Sequence, residues 1–314
     1  MSARTQGALL SLLAFAIFAA HDALIKTLGG GYSAFQIIFF AVLFAFPLTT
    51  LMLVQDRTSG TLIPARPGWT ALRTGSVVVS SICAFYAFSV LPLAQVYAIL
   101  FATPLLITAL SVPLLGEVVR LRRWLAVAVG LCGVIVVLRP GQIEPQLGHA
   151  AALLAAATGA LSSTIVRKIG RDERPVVLLI YPMLAQFVLM SAAMPFVFVP
   201  MEGDALVLIG LLAILGHIAM RLMIRAYRVA EASTVAPMQY SQILWASLFG
   251  VLFFEEVPDV TTAIGAGIVI GSGLYILLRE RSGASANSPV TSTRSRVVPG
   301  VHPRIGPQVD REGS

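Results

Sequence analysis

Residues 91–140 read LPLAQVYAILFATPLLITALSVPLLGEVVRLRRWLAVAVGLCGVIVVLRP, two apolar runs of near-membrane length joined by a short hinge that holds Glu117 and three arginines. The chain writes this stretch twice. Ala94, Ala98, Leu110, Leu114, Glu117, Val119, Ala128 and Gly133 recur at one constant spacing as Ala232, Ala236, Leu248, Leu252, Glu255, Val257, Ala266 and Gly271. A single offset held through two helices and their hinge marks an internal repeat.

Composition bounds the class. The chain is 57% hydrophobic and 12% charged, with a mean hydropathy of +0.86, against about 25% charged residues in a soluble domain. A helix needs about 20 apolar residues to cross the hydrocarbon core, because its backbone polar groups must be satisfied within the segment. The apolar runs reach that length repeatedly, so the chain reads as a polytopic membrane protein whose solvent is the lipid bilayer. Cys83 and Cys132 fall in different predicted spans and support neither a disulfide framework nor a thiolate metal site. The net charge of +7 sits in short loops and the tail. That is a topology signal and predicts no nucleic-acid partner.

In chain order the spacing predicts spans at 7–28, 33–54, 69–91, 95–115 and 124–138, then at 147–166, 175–199, 205–229, 233–254 and 259–278. The first run is kept as a span, not a leader peptide, because the second half repeats it: Leu12, Leu13, Ala14, Ala16, Ala19 and Phe46 recur as Leu153, Leu154, Ala155, Ala157, Ala160 and Phe187, and Lys26 answers Arg167. The expected division is 1–140 for the first repeat, 141–281 for the second and 282–314 for a disordered cytoplasmic tail rich in Ser, Pro, Gly and Arg. Five spans per copy make the second copy enter from the opposite side, so the fold class is an all-α membrane protein of ten transmembrane helices in two inverted five-helix repeats. Arg57, Arg66, Arg120, Arg122, Arg123, Arg167, Lys168 and Arg171 crowd one side, while Glu202, Asp204, Glu255, Glu256 and Asp259 lie on the other. By the positive-inside rule both termini are cytoplasmic, and the expected location is the cell inner membrane.

Ten apolar spans in an inverted pair, a Glu hinge after the fourth span of each copy (Pro113-x-x-Gly116-Glu117, then Phe254-Glu255) and a small-residue-rich last helix resemble the EamA-like drug/metabolite transporter superfamily. The resemblance covers the chain to about Arg281. It implies a carrier of small organic solutes, with a cavity lined by the first four helices of each repeat and the fifth helices towards the periphery. Relatives of this kind include carriers of riboflavin and of S-adenosylmethionine as well as amino-acid exporters. Many also carry an Arg in the second span, where this chain reads Phe39-Phe40-Ala41.

An ionisable side chain at the centre of a membrane helix costs about 2.5–3.5 kcal/mol or more, so each carries a functional and a packing reading. His217, Arg221 and Arg225 follow at steps of four on one face of the eighth span; they face the cavity, or the arginines snorkel to the interface and His217 packs. Asp22 lies one turn before Lys26, either paired with it or free for proton coupling, and its counterpart in the second copy is Ser163. Glu117 and Glu255 sit at loop ends, where a carboxylate satisfies orphan N–H groups, and are read as structural hinges. Gln95, Tyr97 and Phe101 in the fourth span and Gln239, Tyr240, Gln242 and Trp245 in the ninth give amides and flat rings suited to a ring-bearing solute, or simply pack between helices. Gly130, Gly133, Gly267, Gly271 and Gly273 read as close-packing residues of the fifth and tenth spans.

Neither an HExxH helix, a carboxylate pair nor a nucleophile with a base occurs at usable spacing, so the reading is a secondary carrier without cofactor or metal, and not an enzyme. The favoured solute is a planar vitamin-like or nucleoside-like metabolite, taken up; the alternative is export of amino acids or drug-like metabolites. A homodimer is compatible with this reading. The loop charges predict that, in a variant lacking Cys83 and Cys132, a membrane-impermeant maleimide applied from the periplasm labels Glu202→Cys and spares Arg57→Cys and Arg171→Cys. The reverse pattern overturns the topology.

Overall fold

The computed structural model describes residues 2–54, 61–139, 146–170 and 172–281. The expected tail, the Pro140–Gly141 linker and position 171 lie outside the described residues. Twelve α-helices follow one another: α1 (Ala3–Gly29), α2 (Ala34–Val54), α3 (Pro67–Val90), α4 (Leu93–Leu100), α5 (Thr103–Leu115), α6 (Leu121–Leu138), α7 (Leu147–Ile169), α8 (Pro175–Val197), α9 (Gly203–Val229), α10 (Ala232–Val235), α11 (Gln242–Phe254) and α12 (Val260–Arg281). A 3-10 segment, Ala236–Ser241, joins α10 to α11. There is no strand among the described residues. Among the described residues seven helices are long and apolar enough to cross a membrane, counting Leu93–Leu115 as one, and shorter apolar stretches occur at Ala34–Pro47 and Val260–Ile276.

Local chemistry sets the boundaries. Ser2 caps α1 by accepting the Thr5 N–H at 3.2 Å, while Pro67 and Pro175 open α3 and α8, where a missing N–H costs nothing. Gly116 closes α5 in the left-handed region at φ 70°. The uninterrupted fourth and ninth spans expected from the sequence are both broken. Pro104 removes one helical donor just after Phe101–Ala102, and Pro237 does the same inside the 3-10 segment. Each half of the chain therefore carries its proline break in the corresponding helix.

Several of the packed helix pairs obey an exchange of the two halves. α1 lies on α9 as α3 lies on α7, and α1 on α11 as α5 on α7, while α2 pairs with α8 and α6 with α12. One buried core runs through both halves, including Ile25, Ile37, Phe88, Ile99, Leu105, Ile209, Leu212 and Val269. A second cluster of Ile38, Val42, Val78 and Met190 is closed by Phe39 stacked on Phe187 at 5.4 Å and 19°. Leu125, Val129, Val188, Leu189, Val207, Leu252, Phe253 and Ile264 are exposed. An apolar exterior on this scale suits lipid and not water.

The α6–α12 contact depends on backbone approach. A Cβ at Gly133 would stand 2.9 Å from the Gly265 carbonyl oxygen, and one at Gly265 would stand 2.7 Å from the Gly133 oxygen. Gly130 faces the Leu105 and Ser272 side chains. Gly267 and Gly271, expected in this role, have nothing within 4 Å of an added Cβ; they sit on the other side of α12, and Gly265 takes their place. Gly265→Leu should thus destabilise the protein by about 1–3 kcal/mol through overpacking, read as a lower melting temperature in detergent, while Gly267→Leu leaves it unchanged.

Candidate functional site

Asp22 lies two turns before the end of α1 and is the focus of the most connected polar cluster inside the helices. Its Oδ1 is 2.8 Å from His21 Nδ1, and its Oδ2 accepts the Tyr97 hydroxyl from α4. Gln242, at the start of α11, donates its amide N–H to the same phenol oxygen at 3.4 Å. The Asp22 side chain is 15% exposed and Tyr97 is 4% exposed. One chain of hydrogen bonds therefore links three helices from both halves, running from the Asp22 carboxylate on α1 through the Tyr97 hydroxyl on α4 to the Gln242 amide on α11.

Rings extend from that cluster. Phe88 lies 5.4 Å from Tyr97, Tyr97 5.9 Å from Phe101, and Phe101 5.2 Å from Tyr240 in an edge-on arrangement at 78°. Both proline breaks sit on this ladder, since Phe101 ends α4 and Tyr240 belongs to the 3-10 segment. Gly273 on α12 makes room for the last ring: a Cβ there would fall 1.9 Å from the Tyr240 hydroxyl oxygen. The sequence-predicted Tyr97, Phe101, Tyr240 and Gln242 are thus brought together, with Tyr97 and Phe101 buried, not lining an open surface.

The other expected residues lie apart. Gln95 bonds His149 Nε2 at 2.9 Å, and His149 is a buried residue at the start of α7 that carried no sequence motif. Gln239 and Trp245 are half-buried, and the Trp245 indole N–H has no partner among the described residues. His217 is half-buried, and Arg221 and Arg225 are exposed. The two arginines continue, at steps of three and four, the exposed stripe of Val207, Leu211, Ile214 and Ile218. That stripe is the geometry of side chains that reach along an apolar helix to the interface.

Lys26 does not pair with Asp22. It bonds Glu256 at 2.7 Å and the Leu91 carbonyl at 2.7 Å, while the second Glu256 oxygen accepts the Leu93 N–H at 3.1 Å. The orphan donor at the start of α4 is thereby satisfied from the other half of the chain. At the opposite end Arg167, the counterpart of Lys26, pairs with Glu117 at 2.5 Å, and Lys168 reaches the Leu114 carbonyl at 2.6 Å. The partner of Glu117 by geometry is Glu256 and not Glu255. Glu255 takes the left-handed position of Gly116, at φ 56°; the Glu256 N–H bonds the Gly250 oxygen at 2.9 Å and the Glu117 N–H the Ser111 oxygen at 3.3 Å.

Two further clamps escaped the sequence reading. Buried Glu173 accepts from the Ala65 and Arg66 N–H groups at 3.1 and 2.6 Å, capping the approach to α3, and Gln36 pairs through both amide atoms with the Val199 backbone at 2.7 and 3.0 Å. Outside the spans, Arg139 pairs with Asp259. The hydrogen-bonded guanidinium, with the Thr262 N–H, holds the Asp259 carboxyl well below the usual carboxylate range. No group of three His, Cys, Asp or Glu side chains among the described residues is arranged to hold a metal ion.

The family model described as EamA-like transporter family matches residues 5–139 and 146–278. The S-adenosylmethionine uptake transporter of Rickettsia prowazekii is 26% identical over 281 residues, 88% of this chain and 93% of the relative. The pseudopaline exporter CntI of Pseudomonas aeruginosa is 28% identical over 285 residues, 88% of this chain and 97% of the exporter. The riboflavin transporter of Vibrio cholerae is 28% identical over 253 residues, 75% of this chain and 85% of that protein. A crystal structure superposes with a TM-score of 0.61 at 20% identity, covering 90% of this chain and 99% of the other, which is a likeness of fold.

The Lys26–Glu256 tie yields a stability test. Lys26→Met and Glu256→Gln should each cost about 1–3 kcal/mol, because each leaves a shielded group unpaired. The double variant should lose less than the sum of the two in detergent melting.

Proposed function

The chain belongs to the EamA-like transporter family, and from that premise we propose that it imports a planar, ring-bearing metabolite of vitamin or nucleoside type across the inner membrane. Family members are carriers of small solutes and not enzymes. The finer reading has ten crossings in two inverted sets of five, with both termini in the cytoplasm. Rocking of the two sets about a central site gives alternating access. Riboflavin and S-adenosylmethionine are the first solutes to test, since they are named in relatives of similar identity.

The observation that carries the reading is the ring ladder from Phe88 through Tyr97 and Phe101 to Tyr240, set at the breaks of both broken helices and edged by the Gln242 amide. Broken helices at a repeat interface are where carriers form solute sites, because backbone groups freed by the break become available there. Flat rings stack on a heteroaromatic solute and amides read its edge. The ion pairs Lys26–Glu256 and Arg167–Glu117 each tie one half of the chain to the other, contacts that a rocking motion would break one at a time.

Export is the second reading, favoured by the pseudopaline exporter among the relatives. Cells expressing the protein should accumulate labelled riboflavin or S-adenosylmethionine, and Tyr240→Ala should cut that uptake about 2- to 10-fold, the worth of one aromatic contact. Absence of uptake together with resistance to toxic amino-acid analogues replaces import by export.

A further inference from the structure

Asp22 is the one carboxylate among the described residues that stands more than a turn from the end of a helix; the others occupy loops, caps and first or last turns. Its two visible hydrogen bonds come from the Tyr97 hydroxyl and the His21 imidazole, and a neutral imidazole donates that proton as well as a charged one. Lys26, the nearest fixed cation along α1, is committed to Glu256 and the Leu91 carbonyl. Among the described residues no Lys or Arg is bonded to the Asp22 carboxyl, and its two oxygens offer about four acceptor positions of which two are filled.

The fold does not require this charge. The counterparts of Asp22 and Tyr97 in the second half are Ser163 and Val235, so the same helix packing is built there without a carboxylate or a phenol. An internal carboxyl group that the architecture does not need, yet that is held in place by two partners from neighbouring side chains, is a functional site by its cost. The rings beside it narrow the ligand: Phe88, Tyr97, Phe101 and Tyr240 run from the carboxylate as a continuous series, and His21 lies edge-on to Phe85 at 6.4 Å. Aromatic faces around one negative charge suit a soft organic cation that has no N–H to donate, such as a sulfonium or quaternary ammonium group.

We propose that Asp22 is the specificity-determining anionic subsite of this carrier, taking the onium group of a solute whose planar ring lies against the half-buried Tyr240 at the end of this ring series. The proposal rests on the reading of the chain as a carrier of ring-bearing solutes. It assigns Asp22 to solute recognition, and the Tyr97 hydroxyl to holding the carboxylate when the solute is absent.

The test compares S-adenosylmethionine, S-adenosylhomocysteine and riboflavin as ligands of the purified full chain, with affinity read from thermal stabilisation. The first two share every ring and differ in one methyl group and one positive charge. Wild-type protein should prefer the sulfonium by about tenfold or more; Asp22→Asn should bring the ratio to about 1, and Asp22→Glu should keep part of it. A ratio near 1 in the wild type, or one that survives in Asp22→Asn, overturns the subsite while leaving the carrier reading intact. Stabilisation by riboflavin alone does the same. If none of the three binds, the solute reading falls and takes the subsite with it, and if neither variant folds, Asp22 is structural and the proposal fails.

Discussion

Inside hydrocarbon no water is at hand to satisfy a backbone or side-chain polar group, so each must find its partner in the protein. This explains why the described residues form helices throughout, and why the polar bonds between helices gather at helix ends. Glu256 caps α4 across the chain, Glu173 caps the approach to α3, Lys168 takes up the Leu114 carbonyl and Gln36 the Val199 backbone. Each clamp joins one half of the chain to the other. The apolar core alone is indifferent to orientation, since lipid is as apolar as leucine; these few directed bonds fix how the halves meet.

Much of the fold was legible because its signals are local. Apolar length and the repeated Ala, Leu and Gly positions outline the helices, and the family match across 5–139 and 146–278 agrees with the two copies. The breaks at Pro104 and Pro237 were not read, because proline inside an apolar run does not always break it: α8 continues through Pro182. The hinge register was not legible. Identity pairs Glu117 with Glu255, whereas the backbone needs a left-handed residue after each helix, and a Glu fills in the second half the place a Gly fills in the first. Sequence offset measures letters, and the cap is set by φ.

The site was legible as composition and not as pairing. Tyr97, Phe101, Tyr240 and Gln242 were visible as polar and aromatic positions in otherwise aliphatic helices. That Asp22 would bond a residue 75 positions away, while Lys26 one turn on would choose Glu256, follows from the packing of α1 on α11, which itself packs on α4, and only the folded chain reveals that. The α6–α12 contact teaches the same lesson, since Gly265, Gly267 and Gly271 look alike in sequence and only one meets a backbone.

The two halves match in outline and differ in chemistry. Where one end is tied by Lys26 and Glu256, the other is tied by Arg167 and Glu117 with a second cation, Lys168, resting on Trp69 at 4.5 Å. Were the halves identical in an inverted-repeat carrier of the kind proposed above, its two facing states would be related by a two-fold rotation and equal in energy, and the empty protein would divide its time evenly between the two sides. Every mismatch between counterparts tilts that balance. On that reading the resting orientation follows from the differences between the copies, such as a forked, always-charged guanidinium bonded to Glu117 at one end where an ammonium is bonded to Glu256 at the other. Duplication supplies the motion, and divergence supplies its bias.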